Sequence, residues 1–130
     1  IIVADQFSRN MYRDTARAFA QDELALGWCL DGIGLHQDIE LPYICRVFFY
    51  MPLEHAESLA MQDLSVKKFS GLAELAGSKN GDTFLGFEDF AERHRAVIQH
   101  FGRYPHRNSI LGRDSTKAEQ TYLDQPGSGF

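Results

Sequence analysis

The sequence predicts an all-α fold, an antiparallel array of about six helices, and three observations carry that prediction. Apolar residues recur at spacings of three and four and nowhere alternate over the length of a strand. Gly and Pro punctuate the chain at 32/34, 42, 52, 77–81, 102–105, 112 and 126–127, leaving segments of helical length between short connections. The one near-continuous apolar run, 41–51, has no second strand-like run to pair with.

The elements follow in order. A first helix is expected over 1–11, with Val3, Phe7 and Met11 on one line and Asp5 and Arg9 four apart on another face. Asp14 or Thr15 can cap a second helix running to about 33. There Phe19, Leu26, Leu30 and Ile33 form an apolar stripe, and Ala18, Asp22, Ala25 and Cys29 form a line of small residues beside it. Pro42 suits the first turn of a short central helix over 41–51, a buried strand being the rival reading, and Pro52 is expected to break or kink the path. A long helix is expected over 53–76, a loop over 77–81, and the clearest helix over 84–100. The inward face of that last one reads Phe84, Phe87, Ala91, His94, Val97, Ile98, Phe101. Residues 102–112 read as a basic loop, and Thr116-Lys117-Ala118-Glu119 matches a capping box opening a final helix to about 124.

The composition narrows the class of protein. With 130 residues the chain makes a single domain, 1–130, large enough for a real core. Ten Phe, five Tyr and one Trp exclude a disordered chain, and no run approaches the roughly 20 apolar residues of a membrane span. A net charge of −5 argues against general nucleic-acid binding. Cys29 and Cys45 form no disulfide framework, which points to a reducing, cytoplasmic setting. The opening Ile1-Ile2-Val3 is apolar and lacks the pattern of a secretory signal, so a segment ahead of it is expected to be missing.

The charge is segregated. Residues 1–92 carry −8, residues 93–113 carry five arginines and no acid, and residues 114–130 carry −2. Two readings fit the arginine block. Arg103, His106, Arg107, Asn108 and Arg113 build an anion-binding site, or the arginines are an internal clamp paired with acids of the first ninety residues. His94 falls inside an apolar stripe and His55 at the polar end of a face running His55, Leu59, Gln62, Val66, Phe69, Ala73, Ala76. Asp22 lies on the small-residue line. Each of the three taken singly reads as a structural group; together they could partner one another, because buried charge must be paired.

A metal site would have to draw on His55, His94 and a carboxylate, since His55 and Glu57 lie about 200° apart on a helix. No His-Glu-x-x-His or Cys-x-x-Cys pair, phosphate loop, Gly-x-Ser-x-Gly or dinucleotide fingerprint occurs. No cofactor and no metal is therefore expected.

Four stretches together carry a family resemblance: Asp5-Gln6-Phe7-Ser8-Arg9-Asn10; Arg17-Ala18-Phe19-Ala20-Gln21-Asp22; Phe48-Phe49-Tyr50-Met51-Pro52-Leu53-Glu54-His55-Ala56-Glu57; and Phe101-Gly102-Arg103-Tyr104-Pro105-His106-Arg107-Asn108, followed by Ile110-Leu111-Gly112-Arg113. Over essentially the whole chain the sequence resembles the bacterial domain-of-unknown-function 924 family. The resemblance implies a tetratricopeptide-like α–α superhelix and about two further helices before the stretch matching Ile1. It implies no function. Ala16 stands where the family usually has Pro. The family's polar motif positions correspond to Asp5, Arg9, Asn10, Asp22, His55, Glu57, His94, Arg103, His106, Arg107 and Asn108.

The leading functional expectation is a cleft where the loop 102–113 folds over the starts of the 53–76 and 84–100 helices. Arg103 and Arg107 would clamp a small anionic metabolite, with His106 and Asn108 orienting it. His55 or His94 would serve as the catalytic acid or base, supported by Asp5, Arg9, Asp22 and Glu57. The alternatives are a tetratricopeptide-like interaction scaffold, against which the lack of a 34-residue repeat counts, and a buried network that fixes the fold. Partners are thus a small anion, neither nucleic acid nor membrane, and a second copy if the face around Ile1, Ile2, Val3 and Phe7 is uncovered.

Overall fold

The computed structural model describes residues 1–77 and 82–129, and among these every regular element is helical. A π-helical stretch, Val3–Phe7, runs into α1 (Ser8–Met11). Then come a 3₁₀ turn at Ala16–Phe19, α2 (Asp22–Gly34), a 3₁₀ turn at Asp38–Glu40, α3 (Tyr43–His55) and α4 (Leu59–Phe101). A 3₁₀ turn at Pro105–Arg107 and α5 (Lys117–Leu123) close the chain. The all-α expectation holds, and no described helix is long and apolar enough to cross a membrane.

Three boundaries differ from expectation, each for a physical reason. The second helix is split: Asp14 takes a left-handed φ of 62°, and only a 3₁₀ turn forms before α2 starts at Asp22. Pro52 does not end α3, because one more turn buries Pro52, Leu53 and Glu54. The missing Pro52 N–H therefore costs one ladder bond while core burial offsets it. The long helix begins at Leu59 rather than 53, since Ala56 (ψ 130°) and Ser58 (φ −142°, ψ 121°) are extended. His55 accordingly ends α3 and shares no helical face with Gln62. Gly77, at φ 60° and ψ −169°, breaks α4 where the loop 77–81 was expected, and residues 78–81 of that loop lie outside the described residues.

One apolar core joins Cys29 of α2, Val47, Tyr50 and Leu53 of α3, and residues of α4 on both sides of Gly77, including Phe69, Leu72, Phe84 and Ala91. On α2 the small residues Ala25, Cys29 and Gly32 face inward and are buried, Leu26 and Ile33 pack half-buried against the same core, and Leu24, Trp28 and Leu30 are exposed. The reason is close approach. A Cβ on Gly32 would lie 2.4 Å from Cζ of Phe49. The capping box at Thr116 forms with both of its hydrogen bonds, and Gly102 (φ 73°) ends α4 with its N–H on the Ile98 carbonyl.

Two polar ties hold the helices in register. Buried Asp38 accepts from Tyr50 Oη and Lys68 Nζ, each at 2.7 Å, and these bonds hold its carboxyl below the usual range although burial pushes it up. Gln62, fully buried on α4, makes the second tie. Its Nε2 lies 2.7 Å from the Glu54 carbonyl, 2.8 Å from that of Ala56 and 2.9 Å from Tyr104 Oη. Tyr104 also donates to the Glu54 carbonyl. The end of α3 is thus capped by side chains of α4 and of the following loop. Gln62→Leu strips these carbonyls of a donor within the core. It should lower stability by about 2–4 kcal/mol, measured by urea denaturation; a loss under 1 kcal/mol would show that water replaces the amide.

Candidate functional site

Every element that meets at the end of α3 carries a charged group. Asp5 lies on the first helical stretch, fully buried, and its Oδ1 is 2.6 Å from Nδ1 of His55 and 3.3 Å from Nε of Arg9. Arg9 reaches on to Asp22 Oδ2 at 2.8 Å, and Arg107 Nη1 stands 3.5 Å from the same oxygen. Arg107 Nη2 donates to the His55 carbonyl at 3.0 Å. The result is a ring of side chains drawn from residues far apart in sequence, closed around the last turn of α3.

The ionisation states follow from burial and neighbours. Burial pushes the Asp5 carboxyl up, but the hydrogen bond and charge of His55, with the charge of Arg9, bring it below its ordinary value. Burial is the largest influence on His55 and holds it below its ordinary value, although the Asp5 hydrogen bond and charge raise it against the opposing charges of Arg9 and Arg107. Near neutral pH the pair is carboxylate and neutral imidazole. With Nδ1–H donating to Asp5, Nε2 is the basic nitrogen. Asp22 is raised by burial despite its two arginines, and its Oδ1 is buried without a hydrogen-bond partner.

A cleft of about 450 Å³ opens beside this ring. Asp22, Glu23, His55, Glu57, Ser58 and Arg107 supply its polar lining, and Phe19, Leu26, Pro52 and Leu111 its apolar walls. The structure brings Asp5, Arg9, Asp22, His55 and Arg107 together, sets Glu57 on the same cleft, and leaves His94, Arg103, His106, Asn108 and Arg113 off its lining. The cleft lies where the 102–113 loop meets the start of α2, the end of α3 and Ser58 ahead of α4, rather than over the starts of helices at 53 and 84, because 53–55 belong to α3. Ser58 shares the cleft, but no hydrogen bond joins it to His55 among the described residues, so no serine nucleophile is assembled there.

The remaining arginines are committed to carboxylates. Arg103 forks onto Glu119 at 2.7 and 2.9 Å and donates to the Asp114 carbonyl, which brings the Glu119 carboxyl down to about 2. Arg113 forks onto Glu57 at 2.7 and 2.9 Å. Glu57 also accepts from the Tyr104 N–H at 2.7 Å, and Asn108 accepts from Arg113 Nε while donating to Ser115 and Glu119. His106 stacks tilted on Tyr104, and burial lowers it to about 4. His94 donates Nδ1–H to the Phe90 carbonyl at 2.8 Å, packs edge-on against Tyr104, and is lowered to about 4, again by burial. It takes the place expected in the core but does not line the cleft.

Arg107 stands apart from its neighbours. Its guanidinium is sandwiched 4.6 Å from the rings of both Phe19 and Tyr104, and Nε is buried without a partner. Ser58 and Phe19 were not singled out from sequence; a serine directly before an apolar-periodic run was the available signal for the helix start that brings Ser58 here. Glu54 was passed over as well. It is 3% exposed, and burial, with Asp5 nearby, pushes its carboxyl up to about 8. Among the described residues no group of three His, Cys, Asp or Glu side chains is arranged to hold a metal ion.

Glu54 gives a pH dependence of known sign. Below pH 4.5 both folded and unfolded chains hold the proton; from there towards pH 8 only the unfolded chain gives it up, so stability falls with rising pH. Glu54→Gln should match wild type at pH 4 and exceed it by about 1–3 kcal/mol at pH 8 in paired urea titrations. An equal offset at both pH values would mean that Glu54 ionises normally.

The comparisons with known proteins agree with this fold. A solved structure, described as that of a protein of unknown function from Agrobacterium tumefaciens, superposes with a TM-score of 0.79 and 36% identity over 95% of this chain. The chain spans 64% of the length of that protein. No curated protein matches. The family model described as "Bacterial protein of unknown function (DUF924)" matches residues 1–127, and the chain belongs to that family.

Proposed function

We propose that the chain binds a small anionic metabolite in the cleft beside His55, with that imidazole giving or taking a proton. One observation carries the reading. Arg107 is a buried guanidinium whose nearest carboxylate stands 3.5 Å away, whereas Arg103 and Arg113 each hold a carboxylate by two short bonds. A bound anion would supply the close, charged acceptor that Arg107 lacks beyond the His55 carbonyl and the more distant Asp22. The Asp5–His55 pair supports the same reading, because a carboxylate on Nδ1 fixes the tautomer and leaves Nε2 as a base. Of the loop arginines, Arg113 pairs with Glu57 in the manner of the expected clamp, Arg103 pairs instead with Glu119 beyond the first ninety residues, and on this reading Arg107 serves the ligand.

A thermal-shift panel of carboxylated and phosphorylated metabolites tests this. A ligand at about 100 times its Kd adds about 2.7 kcal/mol, a rise of several degrees in Tm. The rise should be seen in wild type and in Arg95→Gln, a surface control, and be lost in Arg107→Gln and His55→Gln. No rise with any compound, or an equal rise in all four proteins, overturns the proposal.

One observation favours a second reading, a protein that associates through a surface. Ile1, Val3, Trp28, Leu41, Phe48 and Phe49 line an apolar groove of about 660 Å³, with Val3 70% and Trp28 47% exposed. On that reading a second copy covers the face. Sedimentation equilibrium should then find a dimer in wild type and a monomer in Trp28→Glu; monomers for both exclude it.

A further inference from the structure

We propose that the anionic group bound in the cleft is a carboxylate seated between the N-terminus of α4 and the Arg107 guanidinium, with a hydroxyl beside it on the ligand donating to Asp22. The inference rests on the anion-binding reading and specifies its ligand as a small hydroxycarboxylate.

Ser58 is both a cleft residue and the residue preceding α4. Its side chain makes no capping hydrogen bond, and the first main-chain bond of the helix runs from Gln62 N–H to the Ser58 carbonyl at 3.0 Å. The N–H groups of Leu59, Ala60 and Met61 therefore have no intrahelical acceptor, and they carry the positive end of the helix dipole. A helix start alone is not a site. Here it adjoins Arg107, whose side chain is 7% exposed, lines the same cleft and keeps a buried Nε without an acceptor. The two donor sets are held together by the bond from Arg107 Nη2 to the His55 carbonyl, three residues ahead of Ser58.

Charge selects the class of anion. Asp22, Glu23 and Glu57 already line the cleft. Glu57 is neutralised by Arg113, and Asp22 is shared between Arg9 and Arg107. A phosphate dianion would meet Asp22 and Glu23 with a single partly committed guanidinium to offset it, whereas a monoanion is balanced. The unpartnered Oδ1 of Asp22 is an acceptor, and a hydroxyl next to the carboxylate is the donor it needs. Phe19 and Leu26 leave an apolar wall for the carbon skeleton.

Histidine-labelled protein followed by NMR tests the inference with glycolate, acetate and inorganic phosphate as probes, the His55 signal being assigned by its loss in His55→Gln. Glycolate should shift that signal saturably, with an apparent Kd at least about tenfold below those of acetate and phosphate. Ser58→Asp places a carboxylate on the free N–H groups. It should raise Tm, as a good cap does, yet weaken glycolate at least about tenfold. Tighter binding of phosphate, or glycolate binding unchanged in Ser58→Asp, overturns the inference and leaves the anion-binding reading standing. If none of the three probes shifts His55 while another anion of the thermal-shift panel binds, the inference likewise fails alone. If no anion of any kind binds, both fail.

Discussion

A helix leaves its last carbonyls without partners, and α3 ends inside the protein, where bulk water does not supply them. The Gln62 carboxamide and the Tyr104 hydroxyl meet that need, one from the next helix and one from the loop after it. The pair also fastens the stretch at 56–58 to α4, beside the main-chain bond from Gln62 N–H to the Ser58 carbonyl. His55, Glu57 and Ser58 all take their positions from that stretch. The cleft is therefore downstream of a capping problem: solving the end of α3 fixes where the imidazole, the carboxylate and the helix start stand.

The electrostatic plan is built on the same spot. An acidic helical body receives an arginine-rich loop: the Arg113 fork onto Glu57 joins the loop to the body, and the Arg103 fork onto Glu119 joins it to α5. Such pairs contribute geometry more than net energy, because desolvation offsets much of the attraction. What they achieve is a rigid floor under Tyr104. That ring in turn carries Arg107 on one side and touches His94 and His106. A guanidinium held by two aromatic faces keeps its edge for polar contacts, which is why Arg107 differs in kind from Arg103 despite lying four residues away.

Much of this was legible in the sequence. The 84–101 stripe put Phe84, Ala91, His94 and Ile98 inside because a helix with a regular apolar period has one way to bury it. The capping box at Thr116 was readable because it is a local motif. The segregated charge announced a loop that must dock on the acidic body. The misreadings share a cause. A break or kink at Pro52, with a new helix from 53, puts His55 on the wrong helix and in a heptad with Gln62; the burial of Leu53, a tertiary effect, decides otherwise. On α2 the line of small residues beside the apolar stripe is where a neighbour comes close, as Gly32 against Phe49 shows, while of the stripe Leu26 and Ile33 pack on the core and Leu30 faces out. Which arginine would stay uncommitted depended on where Glu57 and Glu119 ended up, and no local pattern encodes that.

The span of the contacts around the cleft has a kinetic meaning. Arg103 and Glu119 are 16 residues apart, so the loop and α5 can close on themselves early and cheaply. His55 and Asp5 are separated by 50 residues, and Arg107 and the His55 carbonyl by 52. Those bonds require both ends of the chain to have arrived on α3, which places them among the last to form and the first to open. The pocket is then the least permanent part of a well-packed molecule, and anything that occupies it draws the termini and the middle of the chain into one cooperative unit.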